Sequence, residues 1–444
     1  MIPGDSPLGL DHAALRGPAV VLLTLGALAG LVSAFSPRAG AARPRRVPAW
    51  AAVLGAALAM RAALSLVQDG HVFDVLVAYR DIGERVLHGA DIWSGDTESL
   101  ATYPPPVYGW WAVAALIPGA SPHVFAALVR APFWVVDAGI AVALLRLLPG
   151  KAGAQAAWIY ALCPVAAAVP TLHGQHDPVT DALLLAGVVV AVWRGDAVRG
   201  GLIAGAGIAL KQWPVFFLPP ILAALSRRSA VAFTVAAATP ILCAYAAYGL
   251  LHPHDATTGF VDVATYRPHR QGLGTSWAFP ASLPAGVFIV TNLAVTLGAA
   301  AVATALVRSG RRVEEALAVD MLLLTALSPT VSDQYLMWSL PFLLLAGRLR
   351  TAALLSLGLL PAVASLDLWT SVGDGDTATP LLALATAATL SAAAWLLMSG
   401  PSTAPAGHAA GAARQVAVAS PGAAEGGTVE AAQPAASLDG SVAP

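Results

Sequence analysis

The sequence has little charge. Only 11% of its 444 residues are Asp, Glu, Lys or Arg, whereas soluble domains carry about 25%. Hydrophobic residues make up 57% of the chain, and the mean hydropathy is +0.71. Such a chain cannot cover its surface with groups that water solvates, so we expect lipid to surround most of it. The net charge of −1 also argues against a nucleic-acid partner.

Cysteine and lysine are scarce as well. The two cysteines, Cys163 and Cys243, lie inside apolar runs, which argues against a disulfide framework or a cysteine metal site. The two lysines are Lys151 and Lys211. Lys211 lies between apolar segments, where an ammonium group is costly, and it is therefore a functional candidate. The alternative is that its long side chain extends to the interface.

Long apolar runs predict membrane-spanning helices of roughly 20 residues each. They fall near residues 18–36, 47–67, 122–148, 152–170, 178–193, 229–251, 281–307, 315–329, 334–347, 350–368 and 377–398. Three prolines break a further run, 199–226, which predicts a hairpin of two short segments. The chain is thus predicted to be an all-α polytopic membrane protein with about 11–13 transmembrane helices.

The composition divides the chain into three parts. Residues 1–46 are predicted to form an extra N-terminal transmembrane helix and a basic cytoplasmic loop, because basic residues follow this helix and acids precede it, unlike a signal peptide. Residues 47–400 hold the main transmembrane domain. Residues 401–444 are rich in Ala, Gly and Pro without hydrophobic periodicity, which predicts a disordered cytoplasmic tail.

Basic residues orient the helices. If Arg38–Arg46 lies in the cytoplasm, fifteen of the 24 basic residues fall in cytoplasmic loops by alternation, and most acids fall outside. This agreement requires that Tyr103–Pro118 does not cross the membrane, because a crossing there would reverse every later loop. We therefore expect that segment to lie at the outer interface or to re-enter.

The first outer loop, His71–Pro106, contains HVFDVLVAYRDIGERV. Its apolar positions recur at helical spacing with charged residues opposite, which predicts an amphipathic helix on the membrane surface. Asp74 precedes this helix and is a candidate catalytic residue. Capping the helix N-terminus is an equally good explanation of its position.

A dense polar turn, TLHGQHDP at Thr171–Pro178, is predicted at the same outer face. His and carboxylate side chains suit several divalent ions, but three close ligands in a Gly/Pro turn are weak support for a metal site, and we expect none. The alternative is a plain turn with a helix cap.

Arg130 and Asp137 lie seven residues apart on one predicted helix. They either pair with other buried groups or have a functional role.

Two later outer segments are also polar. The loop TYRPHRQGLGTSW places Arg267, His269 and Arg270 beside aromatic residues, and the turn SPTVSDQY covers Ser328–Tyr335. Aromatic side chains mixed with polar groups are typical of surfaces that bind sugars or lipid headgroups.

The order of these motifs resembles the GT-C class of glycosyltransferases, which take a sugar from a polyprenyl-phosphate donor. The matching elements over residues 47–347 are Asp74 opening the first outer loop, Tyr103–Pro105, Arg130 with Asp137, Gly174-Gln175-Asp177, Lys211 with Pro214, and Ser328-Pro329 with Gln334-Tyr335. The chain looks most like bacterial polyprenol-phosphate-mannose-dependent mannosyltransferases. It departs from the usual arrangement by the extra helix before residue 47.

The resemblance implies a GT-C-like fold and a single inverting displacement with Asp74 as general base. The donor phosphate would be bound by Lys211, Arg267, His269 and Arg270. The sugar or acceptor would be bound by Tyr79, Tyr103, His173, Gln175, Asp177, Gln334 and Tyr335. The implied partners are a polyprenyl-phosphate sugar, a lipid-linked or cell-envelope glycan acceptor and membrane lipids, with no further cofactor. The implied location is the bacterial plasma membrane, with the active site facing outside.

Two other functions are compatible with a polytopic membrane protein. A transporter or flippase of lipid-linked saccharides would commonly show paired broken helices in two repeats, whereas the sequence has one broken hairpin without a second copy. A non-catalytic scaffold would not need an intramembrane lysine opposite an acidic outer loop. Both observations favour the glycosyltransferase.

Overall fold

The computed structural model describes residues 12–36, 49–66, 78–90, 92, 103–117, 119, 121–251, 285–328, 333–364 and 379–400. Within these ranges every regular element is a helix. The predicted all-α class is therefore confirmed. The predicted tail, residues 401–444, lies outside the described residues.

The described residues of the first half of the chain form eight helices. They are α1 (His12–Phe35), α2 (Ala49–Ser65), α3 (Arg80–Leu87), α4 (Pro106–Ala115), α5 (Pro122–Leu147), α6 (Gly150–Ala161), α7 (Pro164–Ala168) and α8 (Asp177–Val188). A π turn, Val169–His173, continues α7, and another, Val189–Trp193, continues α8.

The second half contains nine further helices in the described residues. They are α9 (Ala197–Leu210), α10 (Leu218–Ala223), α11 (Arg227–Leu251), α12 (Ala285–Arg308), α13 (Val313–Leu327), α14 (Ser339–Leu345), α15 (Leu349–Gly358), α16 (Leu360–Ala364) and α17 (Thr379–Ser399). Short 3-10 turns, Trp213–Phe217 and Asp333–Met337, precede α10 and α14.

The chain is a polytopic membrane protein. Among the described residues four helices are long and apolar enough to cross a bilayer, and a fifth crossing results if the bent pair Gly150–Ala161 and Pro164–His173 counts as one. Several predicted crossings are shorter or broken, such as the one formed by α8 and its π turn. The number of crossings, 11–13, stays a prediction.

Glycines let α9 pack closely between α8 and α11. Gly200 lies against Gly187 and Ala191 of α8 and its π turn, whereas Gly205 lies against the backbone of Ala237 in α11. A Cβ at Gly205 would overlap the Ala237 carbonyl oxygen. Small residues permit this approach, and in lipid the resulting van der Waals contact is a main source of helix association.

A buried ion pair joins α2 to α5. Arg61 pairs with Asp137, and both side chains are fully buried. The Arg61 guanidinium also donates to the carbonyl oxygens of Ala57 and Ala161 at 2.9 Å, and Tyr160 donates to Asp137 at 2.7 Å. Asp137 thus takes its partner from another helix, and the arginine seven residues before it on α5 is left out of the pair.

Two short helices pack on each other near the predicted outer interface. In α3 the charged residues form exposed i,i+4 pairs, including Arg80 with Glu84, while Ile82 is buried, as the amphipathic pattern predicts. Gly83 lies against the backbone of Trp111 in α4. The ten residues of α4 rise about 15 Å, which is too short to cross a hydrocarbon core of roughly 30 Å.

The predicted cytoplasmic end holds a separate ionic cluster. Glu315 pairs with Arg348. Glu314 pairs with Arg312 at 3.2 Å and also accepts a hydrogen bond from Trp193. Trp193 ends the helical segment that begins at Asp177, and these 17 residues span about 25 Å. Asp177 and this cluster therefore lie at opposite ends of one helical segment.

Candidate active site

The polar turn after α7 forms because the helix loosens and then stops. The π turn Val169–His173 ends at Gly174, whose φ of 78° is left-handed and suits glycine. Both Gly174 and Gln175 donate backbone hydrogen bonds to the Val169 carbonyl. The turn thereby places Gln175, His176 and Asp177 at the start of α8, and π turns of this kind are frequent at functional sites.

Lys211 meets this turn from the end of α9. Its ammonium nitrogen lies 2.6 Å from Asp177 Oδ2 and 3.2 Å from Gln175 Oε1. Lys211 is 4% exposed and Asp177 is fully buried. The proline-broken segment places the lysine here, because α9 ends at Leu210 and the 3-10 turn begins at Trp213.

Aromatic side chains enclose the pair. The Tyr103 ring centroid lies 5.1 Å from the Lys211 nitrogen, and the Tyr103 hydroxyl donates to Gln175 at 3.2 Å. From the other side, Trp338 Nε1 donates to Asp177 Oδ1 at 2.8 Å. Both carboxyl oxygens of Asp177 and the Lys211 ammonium are therefore held by named partners. The result is a rigid polar centre in apolar surroundings.

An aromatic cluster extends from this centre to the surface helices. We define it as Tyr79, Tyr103, Tyr108, Trp111 and His176. Tyr79 stacks on Trp111 at 3.9 Å, and Tyr103 meets the edges of Trp111 at 5.9 Å and of His176 at 4.9 Å. The Tyr108 hydroxyl donates to the Tyr103 carbonyl at 2.5 Å. The cluster couples α3 and α4 to the Lys211–Asp177 pair.

Several buried polar atoms around the site have no hydrogen-bond partner within the described part of the chain. They are Nε and Nη2 of Arg130, Nε1 of Trp111, Nδ1 of His176, Nε1 of Trp213, Oε1 of Gln334 and both carboxyl oxygens of Asp181. Buried polar groups are normally satisfied. The unpartnered nitrogens of Arg130 and His176 are therefore candidates for contact with a polar ligand.

The structure brings most of the described candidates together. Tyr79, Tyr103, Gln175, Asp177 and Lys211 belong to one connected set. Tyr335 joins it through Trp338, on which it stacks at 4.2 Å. Gln334 is buried in the same 3-10 turn as Tyr335. His173 ends the π turn and is half-buried. The predicted base, Asp74, and the predicted phosphate ligands Arg267, His269 and Arg270 lie outside the described residues.

Sequence reasoning missed the tryptophans of the site. Trp338 follows Tyr335 by three residues, a spacing that places both on one helical face. Trp213 stacks on Trp338 at 4.1 Å. Trp213 lies two residues after Lys211, and Trp338 lies three residues after the end of SPTVSDQY, but tryptophan is more often a packing residue at such positions.

No cluster of three His, Cys, Asp or Glu residues that could hold a metal ion occurs in the part of the chain that is described. In particular, the Asp177 carboxylate already pairs with Lys211 and accepts a hydrogen bond from Trp338. The expectation of metal-free chemistry stays a prediction, since several outer-loop acids and histidines lie outside the described ranges.

The chain was compared with known proteins at the level of sequence families and structures. The family model described as Glycosyltransferase family 87 matches residues 101–332, which is more than half of the chain. The match contains the polar turn, Lys211 and most of the aromatic cluster. No curated protein and no solved structure matches the chain.

Proposed function

The chain belongs to glycosyltransferase family 87 and is a membrane glycosyltransferase, and from this premise we propose its donor, acceptor and mechanism. The donor is a polyprenyl-phosphate hexose, with mannose as the first sugar to test. The acceptor is a lipid-linked or cell-envelope glycan. The reaction takes place on the outer face of the bacterial plasma membrane. Family membership argues against the transporter and the scaffold.

One observation carries this proposal. The Lys211–Asp177 pair is buried within an aromatic surrounding next to the short helices α3 and α4. The sequence predicts these helices at the outer interface, where a lipid-linked substrate would present its headgroup. A buried, fully contacted charge pair in a membrane helix bundle is costly and is usually retained for function. A lipid-bound sugar would then reach the proposed site from the bilayer with its tail still in lipid.

The proposed chemistry is a single displacement. The acceptor hydroxyl oxygen attacks the anomeric carbon and forms the new glycosidic bond, while the bond from that carbon to the phosphate oxygen breaks. The leaving phosphate keeps the bonding electron pair, and the hydroxyl proton passes to Asp74. Because phosphate is a good leaving group, no second acid is needed to protonate it, unlike in glycoside hydrolysis.

The remaining candidate residues take binding roles. Arg267, His269, Arg270 and Lys211 are proposed to bind the donor phosphate. Tyr79, Tyr103, His173, Gln175, Asp177, Gln334 and Tyr335 are proposed to bind the sugar or the acceptor. The geometry supports an additional positioning role for Lys211, because its ammonium orients Gln175 and Asp177.

The first prediction concerns Asp74. Asp74→Asn should lower kcat for transfer from polyprenyl-phosphate-mannose by about 10²–10⁴-fold, which is the usual contribution of a general base. Asp81→Asn is the matched control, because Asp81 lies in the same outer segment but forms an exposed i,i+4 pair with Arg85 at 3.1 Å. It should keep nearly full activity.

Purified wild-type protein should be assayed with polyprenyl-phosphate-mannose, -glucose and -arabinose beside both variants. Full activity in Asp74→Asn would move the base elsewhere, with Asp81 or Asp177 as the next residue to test. No transfer by wild type from any of the three donors, under conditions in which a related enzyme works, would refute the proposed donor class.

A further inference from the structure

Arg130 is a buried cation that has no anionic partner among the described residues. It lies in the N-terminal half of α5 and is 2% exposed. Its Nε and Nη2 have no hydrogen-bond partner, and no acidic group pairs with it, among the described residues. An unpaired charge inside a membrane protein is strongly unfavourable, so the site is built for a partner that comes from outside the fold.

The contrast with Arg61 shows that this is unusual within the same molecule. Arg61 is equally buried, but it pairs with Asp137 and donates to two backbone carbonyls. Lys211, the other buried cation of the site, is neutralised by Asp177 and contacts Gln175. Arg130 thus supplies the uncompensated positive charge beside the aromatic cluster.

The surroundings of Arg130 connect it to the candidate active site. Tyr79 lies close enough to interact electrostatically with the guanidinium, and Tyr79 stacks on Trp111 of the aromatic cluster. One turn further along α5, Phe133 contacts the His176 ring at 6.0 Å. Trp134 donates to the Pro170 carbonyl at 3.0 Å. This part of α5 is therefore packed against the polar turn that holds Asp177.

We infer that Arg130 binds the phosphate of the lipid-linked donor in its buried site. This inference rests on the proposed polyprenyl-phosphate donor. A guanidinium can donate two parallel hydrogen bonds to two phosphate oxygens, which matches the two unpartnered nitrogens. The apolar surroundings strengthen the interaction relative to one in water.

The same geometry also implies that Arg130 increases the rate of sugar transfer. The donor phosphate is a diester with one negative charge, and it leaves as a monoester on which a second charge develops. A fixed cation next to it interacts more strongly with the transition state than with the bound donor, and this difference accelerates the reaction. Arg130→Gln should therefore lower kcat more than it raises KM, with a loss in kcat of about 10²–10³-fold.

The test measures binding and stability without sugar transfer. Detergent-purified wild type, Arg130→Gln, Arg130→Lys and Arg61→Gln are heated with undecaprenyl phosphate, undecaprenol or phosphatidylglycerol, and the Tm is recorded. Undecaprenyl phosphate should raise the wild-type Tm more than the other two lipids, because a ligand stabilises the state that binds it. This increment should be lost in Arg130→Gln and partly kept in Arg130→Lys.

Without added lipid, Arg130→Gln should have an unchanged or higher Tm, because it removes an unpaired buried charge, whereas Arg61→Gln should lower the Tm by breaking a pair. If undecaprenyl phosphate raises the Tm of Arg130→Gln as much as that of wild type, the inferred role of Arg130 is overturned, whereas the proposed donor is not. A wild-type Tm that does not respond to undecaprenyl phosphate would overturn the proposed donor and the inference with it. An equal increment with phosphatidylglycerol would indicate a general phospholipid site and would also overturn the inference.

Discussion

At the residue scale, the site is organised by how each buried charge is compensated. Asp137 is paired with Arg61, Asp177 is paired with Lys211, and Arg130 has no acidic partner among the described residues. The sequence pattern placed Arg130 and Asp137 seven residues apart but could not say which of them would pair. Arg130 differs in this respect from the two paired cations, Arg61 and Lys211, and this difference supports its proposed role as a phosphate ligand.

The Lys211–Asp177 pair leads to a prediction about coupled stability. Lys211→Met and Asp177→Asn should each lower the free energy of unfolding by about 3–5 kcal/mol, because each leaves one buried partner uncompensated. The double variant should lose clearly less than the sum of the two. Thermal unfolding in detergent measures all three.

The control for this comparison is Lys151→Met, which changes the other lysine of the chain, an exposed residue near the start of α6. It should shift stability by no more than about 0.5 kcal/mol. Strictly additive losses in the double variant would show that Lys211 and Asp177 do not interact in the protein.

At the scale of elements, α9 carries the lysine and its packing decides where the lysine lies. Gly200 and Gly201 face opposite neighbours, α8 and α11, so that α9 is fixed from two sides. The helix then ends at Leu210, directly before Lys211. The breaking of the 199–226 run was predictable from its prolines, whereas the glycine contacts that orient α9 were not.

Gly205→Val should therefore disturb both packing and function. The added side chain meets the Ala237 backbone, and such overpacking costs about 1–3 kcal/mol. We expect a lower Tm together with a lower kcat, since α9 would shift away from α11 and move Lys211. A gas-chromatographic or fluorescent assay of product, run beside thermal unfolding, measures both effects.

Gly139→Val is the matched control, because a Cβ at Gly139 in α5 meets nothing within 4 Å. It should leave the Tm and the activity close to those of wild type. If both glycine variants behave alike, the close approach of α9 and α11 is not important for stability.

At the scale of the whole molecule, polar groups form two separate layers. The Lys211–Asp177 pair lies at one end of the helical segment that runs from Asp177 to Trp193, and the Glu314–Glu315 cluster lies at the other. The second cluster also holds the C-terminal end of α17, since Arg311 donates to the Met398 carbonyl at 3.0 Å. A helical segment of about 25 Å thus separates the two clusters.

The proposed orientation predicts which layer faces outward. In a variant without Cys163 and Cys243, a cysteine at Ser121 should react with a membrane-impermeant maleimide on intact spheroplasts. A cysteine at Ser309 should react only after permeabilisation. Both serines are exposed. Ser121 caps the N-terminus of α5, and Ser309 directly follows the C-terminus of α12. The predicted topology places these two helix ends at opposite faces of the membrane. The reverse labelling pattern would invert the topology and place the site in the cytoplasm.

The sequence by itself determined the membrane class, the helical content, the amphipathic helix α3 and the segments that carry the site. These features depend on composition and on periodicity within about 20 residues, which a single segment contains in full. The tertiary structure alone decided that Lys211 meets Asp177 across 34 residues, that Asp137 meets Arg61 across 76, and that Trp338 reaches Asp177 across 161. The reason is that contacts between distant helices follow from side-chain packing of the whole bundle, and no local pattern records them.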